Sequence, residues 1–244
     1  MRSILNRIGR KRGVLPVLLG YFPVDIQTYV EPFVGSGDVY FGANFSHDVT
    51  CHINDIDHMI VDALSLIKMN PEKRDNAETL ETHESVERFI NRRHSDPYDR
   101  LRSILYIQTC CFGSMQKGNN IVRRPFHPVD WKLEQVPKLS EYMQNTEIHH
   151  GDWKTMMMYD APDTFFFLDP PYEKSRGIYH TYDIDYETMA TILKDIEGKF
   201  LLTIHDTPAM RYTFRDFHVT GYAVAGRGAY NKGSHIRQEL CIRN

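Results

Sequence analysis

The sequence predicts an α/β protein with a mostly parallel sheet. Short runs rich in β-branched and aromatic residues alternate with segments of helical periodicity, which is the pattern of successive βαβ units. One run, residues 165–168, is apolar at every position, as expected for a strand that is buried on both faces of a parallel sheet. At 244 residues, the chain has room for one such domain and a smaller insertion.

Seven strands are expected in chain order. They are predicted at residues 28–33, 49–53, 147–150, 165–168, 199–204, 218–225 and 239–242. Helices are predicted at residues 10–20, 39–45, 56–69 and 186–197. Gly20 and Pro23 mark the end of the first helix. The third helix has a set of residues on one face: Ile56, Ile60, Ala63, Leu64 and Ile67.

Residues 71–144 interrupt this alternation. We therefore assign them to an inserted, mainly helical subdomain, and residues 1–70 and 145–244 to the α/β domain. Residues 71–99 are rich in charged side chains and poor in aliphatic ones, which predicts exposed helices rather than a core. Residues 112–128 are rich in Gly, Asn and basic residues, which predicts a loop or a hairpin.

The composition excludes two classes of protein. A formal net charge of −3 excludes a uniformly basic nucleic-acid binder, although basic residues cluster near the amino terminus and at Arg123 and Arg124. No apolar stretch reaches the roughly 20 residues that cross a bilayer, so no membrane association is expected. The four cysteines show no Cys-x-x-Cys spacing, which indicates reduced cysteines and a cytoplasmic protein.

The most informative motif is Asp169-Pro170-Pro171-Tyr172, which directly follows the apolar strand. Ligands of open α/β sheets bind at the carboxyl ends of the strands. The motif supplies a carboxylate, an exposed carbonyl, a stiff turn and an aromatic face at that point. These groups suit an amino group on an aromatic ring, because oxygens accept the amino hydrogens and one ring stacks on another. We interpret the motif as a catalytic site.

A second motif runs from a short β-rich segment into residues 33–37, Phe-Val-Gly-Ser-Gly. Gly35 and Gly37 let the backbone approach a ligand where a side chain would collide. The third glycine of a dinucleotide fingerprint would fall at Tyr40, which disfavours a pyrophosphate-binding loop and a nicotinamide enzyme. Asp55, 20 residues after Gly35, can accept hydrogen bonds from ribose hydroxyls. S-adenosyl-L-methionine, an adenosyl cofactor without phosphates, fits this combination.

In order and spacing, these motifs resemble the Dam-type (D12 class) family of DNA adenine-N6 methyltransferases over nearly the whole chain. Residues 8–11 resemble the family's Gly-x-Lys element, and residues 33–37 resemble its cofactor loop. Asn54-Asp55 resembles its ribose acid, and residues 169–172 resemble its catalytic tetrapeptide. The resemblance implies a Rossmann-like S-adenosylmethionine-dependent methyltransferase fold, in which residues 71–144 form a target-recognition insertion.

The resemblance also implies a reaction, in which a methyl group passes to adenine N6 of double-stranded DNA after the base is flipped out. Asp169 and the Pro170 carbonyl would accept the two amino hydrogens, Pro171 would stiffen the turn, and Tyr172 would stack on the base. The positive charge that grows on the nitrogen would be stabilised by these oxygens.

Three charged residues and one tryptophan would make the main contacts with the cofactor. Lys11 would pair with its methionine carboxylate and Asp55 with its ribose, while Asp152 and Trp153 are candidates for its adenine amino group and ring. The alternative for Trp153 is core packing. The complete set of predicted cofactor-binding residues is Arg7, Lys11, Phe33, Gly35, Gly37, Asp55, Asp152, Trp153 and Asp169.

The expected partner is double-stranded DNA. The predicted contacts to it are Arg10, Lys117, Asn119, Arg123 and Arg124. The location implied is the cytoplasm of a bacterial or phage-infected cell; a monomer is expected, and a cognate restriction nuclease is left open. His149, His150 and His205 show no metal-ligand spacing, so structural roles and no metal site are predicted.

Two alternative functions stay open at this point. One is methylation of cytosine N4 in DNA or of adenine in RNA, although Asp at position 169 favours adenine, because cytosine-N4 enzymes more often carry Ser there. The other is a nucleic-acid-binding relative that has lost catalysis, which the retained motif residues disfavour.

Overall fold

The computed structural model describes residues 1–7, 9–73, 77–111, 128–171, 184–227 and 234–244. Within these residues the chain forms a seven-stranded sheet with helices packed on both faces. The strands in chain order are β1 (Thr28–Glu31), β2 (Thr50–Asp55), β3 (Thr146–His150), β4 (Thr164–Leu168), β5 (Lys199–His205), β6 (His218–Arg227) and β7 (Ser234–Arg243).

The strands lie in the order β3-β2-β1-β4-β5-β7-β6. The first five pair in parallel, and β7 runs antiparallel between β5 and β6. The predicted α/β class with its mostly parallel seven-stranded sheet is therefore confirmed. Strand order reverses at β1, which lies between β2 and β4, so the carboxyl ends of these three strands border one crevice.

Strand β4 is buried at all five positions. Phe165 and Phe167 enter the hydrophobic cluster on one face of the sheet, and Phe166 and Leu168 enter the cluster on the other. This alternation confirms the prediction of a strand covered on both sides, and it holds the end of β4 rigidly at the centre of the sheet.

The described residues contain nine α-helices and one 3₁₀ helix. They are α1 (Leu15–Leu19), α2 (Asp38–Ala43), α3 (His58–Met69), α4 (His83–Ile90), α5 (Pro97–Cys110), α6 (Asp130–Leu133), α7 (Val136–Tyr142), the 3₁₀ helix (Trp153–Tyr159), α8 (Tyr186–Lys194) and α9 (Pro208–Thr213). The prediction of a first helix from residue 10 was wrong: α1 begins at Leu15, because Pro16 is tolerated only in a first helical turn. Helix α9 was not predicted.

The expectation that residues 71–99 lie outside the core was also wrong. Val86, Phe89 and Ile90 of α4 are buried in the same hydrophobic cluster as α3 and α5. Charged residues occupy the remaining face of α4, so the charge-rich composition concealed an amphipathic helix. The assignment of residues 71–144 to target recognition stays a prediction, and residues 112–127 of the loop predicted at 112–128 lie outside the described residues.

In the part of the chain that the structure describes, no helix is both long and apolar enough to cross a membrane. The four cysteines are buried and unpaired with one another, as the spacing predicted.

Candidate active site

Asp169 lies directly after β4, at the carboxyl edge of the sheet, and its side chain is 20% exposed. The Thr203 hydroxyl of β5 donates a hydrogen bond of 2.8 Å to Asp169 Oδ1. The Tyr186 hydroxyl of α8 donates one of 3.0 Å to the Pro171 carbonyl. Neighbouring elements therefore hold the first three residues of the tetrapeptide in place, with Pro170 buried between them. Tyr172 lies outside the described residues.

The Lys11 ammonium lies between two carboxylates. Lys11 Nζ is 2.9 Å from Asp169 Oδ1 and 3.5 Å from Glu239 Oε2, and the lysine is buried. Glu239, on β7, also accepts a hydrogen bond of 2.7 Å from the Tyr222 hydroxyl on β6. The sequence analysis expected Lys11 to meet the cofactor, whereas the structure brings it to the proposed catalytic carboxylate.

The charges of Asp169 and Lys11 influence each other's pKa. Burial raises the pKa of Asp169, while the Lys11 ammonium and the Thr203 hydroxyl oppose the rise by favouring the ionised form. Burial alone would lower the pKa of Lys11, but the carboxylates of Asp169 and Glu239 outweigh it and raise that pKa. The lysine is therefore a charged partner that keeps a partly buried carboxylate available as a hydrogen-bond acceptor.

The glycine-rich loop follows β1 and leads into α2. Gly35 and Gly37 have φ angles of +50° and +69°, in the left-handed region that favours glycine. A Cβ atom at Gly37 would meet the Phe41 ring at 3.1 Å, so this glycine serves packing. A Cβ atom at Gly35 would meet no described atom within 4 Å. There is thus open space beside the backbone of Gly35, where a ligand could approach.

Asp55 joins the glycine-rich loop to the end of β2. Its Oδ2 accepts a hydrogen bond of 2.8 Å from the Gly35 N–H, and its Oδ1 accepts one of 2.9 Å from the Asp57 N–H. Burial raises the pKa of Asp55, and these N–H groups and Arg7 oppose the rise. Arg7 forms an ion pair with Asp57, so it lies beside the predicted ribose carboxylate.

Asn54 ties three strand ends together. Its Nδ2 donates to the Pro32 carbonyl at 2.9 Å and to the Gly151 carbonyl at 3.1 Å, beyond β1 and β3 respectively. The same residue's backbone carbonyl accepts from Val34 N–H at 2.8 Å. Its Oδ1 is buried and has no hydrogen-bond partner among the described residues. The Asn54 side chain therefore links the strand ends at the base of the crevice, and its Oδ1 remains as a hydrogen-bond acceptor without a partner among the described residues.

Trp153 and Asp152 begin the segment after β3. Trp153 is 3% exposed within a hydrophobic cluster, and its ring centroid is 6.0 Å from that of Phe33. This burial favours core packing over the predicted contact with the cofactor ring, and leaves Phe33 as the more exposed of the two rings. The Asp152 side chain accepts from the Lys154 N–H at 2.9 Å and so begins the 3₁₀ helix.

Arg10, predicted to contact DNA, is engaged within the protein. Its guanidinium makes two hydrogen bonds to the Asp38 carboxylate, at 2.7 and 2.8 Å, and a third to Asn6 Oδ1 at 2.8 Å. These contacts use three of its nitrogen atoms and tie the amino-terminal arm to α2. The Arg10 guanidinium is thus paired with a buried acid, and its contact with DNA stays a prediction. The other predicted DNA contacts, Lys117, Asn119, Arg123 and Arg124, lie outside the described residues.

Sequence analysis missed Thr203, Tyr222 and Glu239. Thr203 and Glu239 are polar residues within or beside apolar strand segments, and both are buried. A polar side chain in a buried strand needs a partner, so this pattern was the available indication. Their partners, however, come from β4 and from the amino-terminal arm, which only the fold brings close.

Comparison with known proteins places this site in context. The family model of D12 class N6 adenine-specific DNA methyltransferases matches residues 8–223. The DNA N-6-adenine-methyltransferase of Escherichia phage P1 is 24% identical over 239 residues, which cover 88% of this chain and 31% of that protein. The chain thus spans about a third of the length of the phage protein.

Two further proteins match over most of their length. The type II methyltransferase M1.LlaDCHI of Lactococcus lactis subsp. cremoris is 24% identical over 250 residues, which cover 90% of this chain and 86% of that protein. Among solved structures, precorrin-6y C5,15-methyltransferase from Geobacter metallireducens GS-15 matches with a TM-score of 0.44 and 10% identity, over 100% of this chain and 98% of that one.

Proposed function

The chain belongs to the D12 class N6 adenine-specific DNA methyltransferase family, and from this premise we propose that Asp169, Pro170, Pro171 and Tyr172 carry out the methylation of adenine N6 in DNA. The observation that carries the proposal is the position of Asp169. It lies at the end of the central strand β4, held by Lys11 and Thr203, across from the loop that Asp55 joins to β2.

The cofactor of this family is S-adenosyl-L-methionine, whose sulfonium supplies an electrophilic methyl group. The residues present fit such a group. The open space at Gly35 admits a ligand against the backbone, and the unused Asn54 Oδ1 offers a buried acceptor nearby. Each oxygen of Asp55 accepts one backbone hydrogen bond, which leaves a lone pair on each for a ribose hydroxyl. Gly37, Phe33, Arg7 and Asp152 would complete the walls of this site.

Asp169 and the Pro170 carbonyl would act on the substrate amino group. Adenine N6 is a poor nucleophile because its lone pair is delocalised into the ring. Two oxygen acceptors on its hydrogens favour a tetrahedral nitrogen with a directed lone pair, and they stabilise the positive charge that develops there. When bound, the cofactor would supply the methyl group from its sulfur to N6, and Asp169 would take up the amino proton that N6 releases. Lys11 supports this role because it favours the ionised carboxylate.

Base flipping is part of the proposal. The Asp169 side chain is only 20% exposed at the edge of the sheet, and a base inside a duplex cannot reach such an acceptor. An extruded adenine could enter the crevice, where Tyr172 would stack on it. Stacking on an aromatic side chain contributes roughly 1–3 kcal/mol per base.

DNA would be held outside the crevice by the insertion at residues 71–144. Lys117, Asn119, Arg123 and Arg124 are the proposed contacts, since cations bind phosphates and amides read base edges. We further propose a cytoplasmic monomer. The name of the Lactococcus relative, a type II methyltransferase, supports a role beside a restriction nuclease.

Replacement of Asp169 by Asn tests the proposal. The variant keeps the shape of the side chain but offers only one acceptor atom, so we expect the rate of labelled-methyl transfer to DNA to fall by on the order of 10²–10³-fold. Calorimetric binding of S-adenosylmethionine should persist. Asp216→Asn is the matched control, because Asp216 is an exposed partner of Lys194 and should leave the rate unchanged. Full activity of Asp169→Asn would refute the assignment.

The methylated product decides between the remaining alternatives. Nucleoside analysis of DNA modified by the wild-type protein should find N6-methyladenine. N4-methylcytosine, or methyl transfer to RNA alone, would replace the proposed substrate. No transfer to any nucleic acid, with cofactor binding intact, would favour a relative that binds without catalysis.

A further inference from the structure

Three potential metal ligands converge on the β2–β3 edge of the sheet, outside the crevice. His52 lies on β2, and Glu147 and His149 lie on β3. The parallel register pairs His52 with Glu147 and Asn54 with His149, so all three side chains project from the same face of the sheet. Their ligand atoms form a compact triangle.

The triangle has nearly equal sides. His52 Nδ1 is 3.4 Å from His149 Nε2 and 3.4 Å from Glu147 Oε2, and the third side, His149 Nε2 to Glu147 Oε2, is 3.7 Å. These separations exceed the 2.7–3.2 Å usual for N–H···O hydrogen bonds. The hydrogen bond between His52 Nδ1 and His149 Nε2 is therefore long, and no short bond within the triangle fixes the arrangement.

A tetrahedral metal ion accounts for it directly. Zinc bonds of about 2.0–2.1 Å that meet at the tetrahedral angle separate two ligand atoms by about 3.3–3.4 Å. Two of the three observed separations have this value, and the third is within a small side-chain movement of it. We propose that His52, Glu147 and His149 bind a zinc ion at the edge of the sheet.

The ligand set selects this class of metal. Two imidazoles and one carboxylate suit zinc, whereas Mg²⁺ and Ca²⁺ favour sites built of oxygen ligands. The site is also accessible, because the Glu147 side chain is 62% exposed while that of His52 is 8% exposed. An ion could enter past the carboxylate and reach the buried imidazole. The fourth position is left to water or to the Tyr159 hydroxyl, 3.5 Å from His149 Nε2.

A neighbouring ring holds the buried ligand in position. The Tyr159 ring stacks on the His52 imidazole with centroids 3.7 Å apart and planes 17° apart. Tyr159 is the last residue of the 3₁₀ helix that begins at Trp153. The His52 imidazole is therefore packed between this helix and the sheet. A ligand fixed in this way loses little rotational freedom when it binds a metal.

The ion would cross-link the edge strand β3 to β2. Only one residue separates His52 from Asn54, which binds the Gly151 carbonyl, and His149 is followed two residues later by Gly151. Zinc would thus hold together the two strands whose ends carry Asp55 and Asp152. Its role would be to stabilise that edge, independently of methyl transfer.

Metal titration of the whole protein tests the site. After treatment with a chelator, the protein should bind one Zn²⁺ per chain in calorimetry, and its Tm should rise with Zn²⁺ concentration but not with Mg²⁺. Co²⁺ should bind with the visible absorption bands of a tetrahedral complex. An octahedral Co²⁺ spectrum, or the absence of a single saturable site, would overturn the proposal.

Surface variants separate this site from adventitious binding by the twelve histidines of the chain. Glu147→Gln and His149→Asn should each lower the affinity for Zn²⁺ by roughly tenfold or more. His150→Asn is the matched control: His150 is the next residue on β3, projects from the opposite face and bonds to the Ile56 carbonyl. Equal Zn²⁺ affinity in all of these variants and the wild type would show that zinc binds elsewhere.

Discussion

Substitution of Lys11 by Met tests how Asp169, the proposed catalytic carboxylate, is kept charged. Methionine retains most of the length and apolar body of lysine but removes the ammonium. In the structure that ammonium lies 2.9 Å from Asp169 Oδ1 and 3.5 Å from Glu239 Oε2. The variant therefore leaves two carboxylates close together without the cation between them.

The cost can be estimated from the distances. At 2.9 Å, two unit charges attract by about 6 kcal/mol with an effective dielectric constant of about 20. Desolvation of the lysine offsets part of this gain, and loss of one partner from a buried pair typically costs about 3–5 kcal/mol. We expect Lys11→Met to lower the free energy of unfolding at pH 7 by that amount.

The pH dependence has a defined sign. The pKa of Asp169 is already raised by burial, so the folded state binds protons more readily than the unfolded chain, and stability falls as pH rises from about 4 through the folded pKa. Without Lys11 that pKa rises further. The stability gap between wild type and Lys11→Met should therefore widen as pH rises and narrow in acid, where Asp169 is protonated.

The pH dependence of methyl transfer should show the same rise in the pKa of Asp169. Asp169 must be ionised to accept amino hydrogens, so the acid limb of the pH–rate profile should move to higher pH in Lys11→Met. A displacement of at least about one pH unit is expected, which corresponds to about 1.4 kcal/mol.

Urea unfolding at several pH values and methyl transfer across the same range are the two measurements. The control is Lys194→Met, since Lys194 forms a shorter ion pair of 2.6 Å with Asp216 but both side chains are about half exposed. Removal of that exposed pair should cost less than about 1 kcal/mol. If Lys11→Met is as stable as Lys194→Met, or its acid limb is unmoved, the proposed electrostatic role of Lys11 is wrong.

Two further substitutions probe the residues around the crevice. Thr203→Val keeps the shape of a fully buried side chain but removes its 2.8 Å hydrogen bond to Asp169, so kcat should fall by about tenfold while KM for DNA changes little; an unchanged kcat would argue against positioning by Thr203. Gly35→Ala should cost about 1–2 kcal/mol of stability because of the positive φ, and its methyl group would enter the open space beside the loop. Weaker binding of S-adenosylmethionine in calorimetry is the expected result for this variant, and wild-type affinity would place the cofactor away from Gly35.

Local patterns were sufficient to predict the central strand and the elements around it. Residues 165–168 could be assigned to a buried strand because every position is apolar, and both hydrophobic clusters now account for that pattern. Asp55 was singled out by its spacing of 20 residues from Gly35, and a hydrogen bond of 2.8 Å joins the two residues, while the contact of Asp55 with a ribose stays a prediction. In α4, by contrast, dense surface charge hid the apolar face.

Contacts between distant segments could not be predicted in this way. Lys11 and Glu239 are 228 residues apart, and nothing in either segment indicates that Lys11 lies between Glu239 and Asp169. The histidines illustrate the same limit: Glu147 and His149 show no metal-ligand spacing by themselves, and the third ligand, His52, comes from a neighbouring strand. Strand order and register, which depend on packing over the whole sheet, decide such neighbours.

By itself, then, the sequence determined the α/β class, the position of the proposed catalytic tetrapeptide at a strand end and the glycine-rich loop with its carboxylate. These follow from hydrophobic periodicity and turn chemistry, which act over a few residues. Only the tertiary structure decided that Lys11 pairs with Asp169, that Arg10 is held by Asp38 and that Trp153 is buried. The physical reason is that ion pairs and burial depend on which residues lie close in space. The order of the strands in the sheet determines which distant segments of the chain come close.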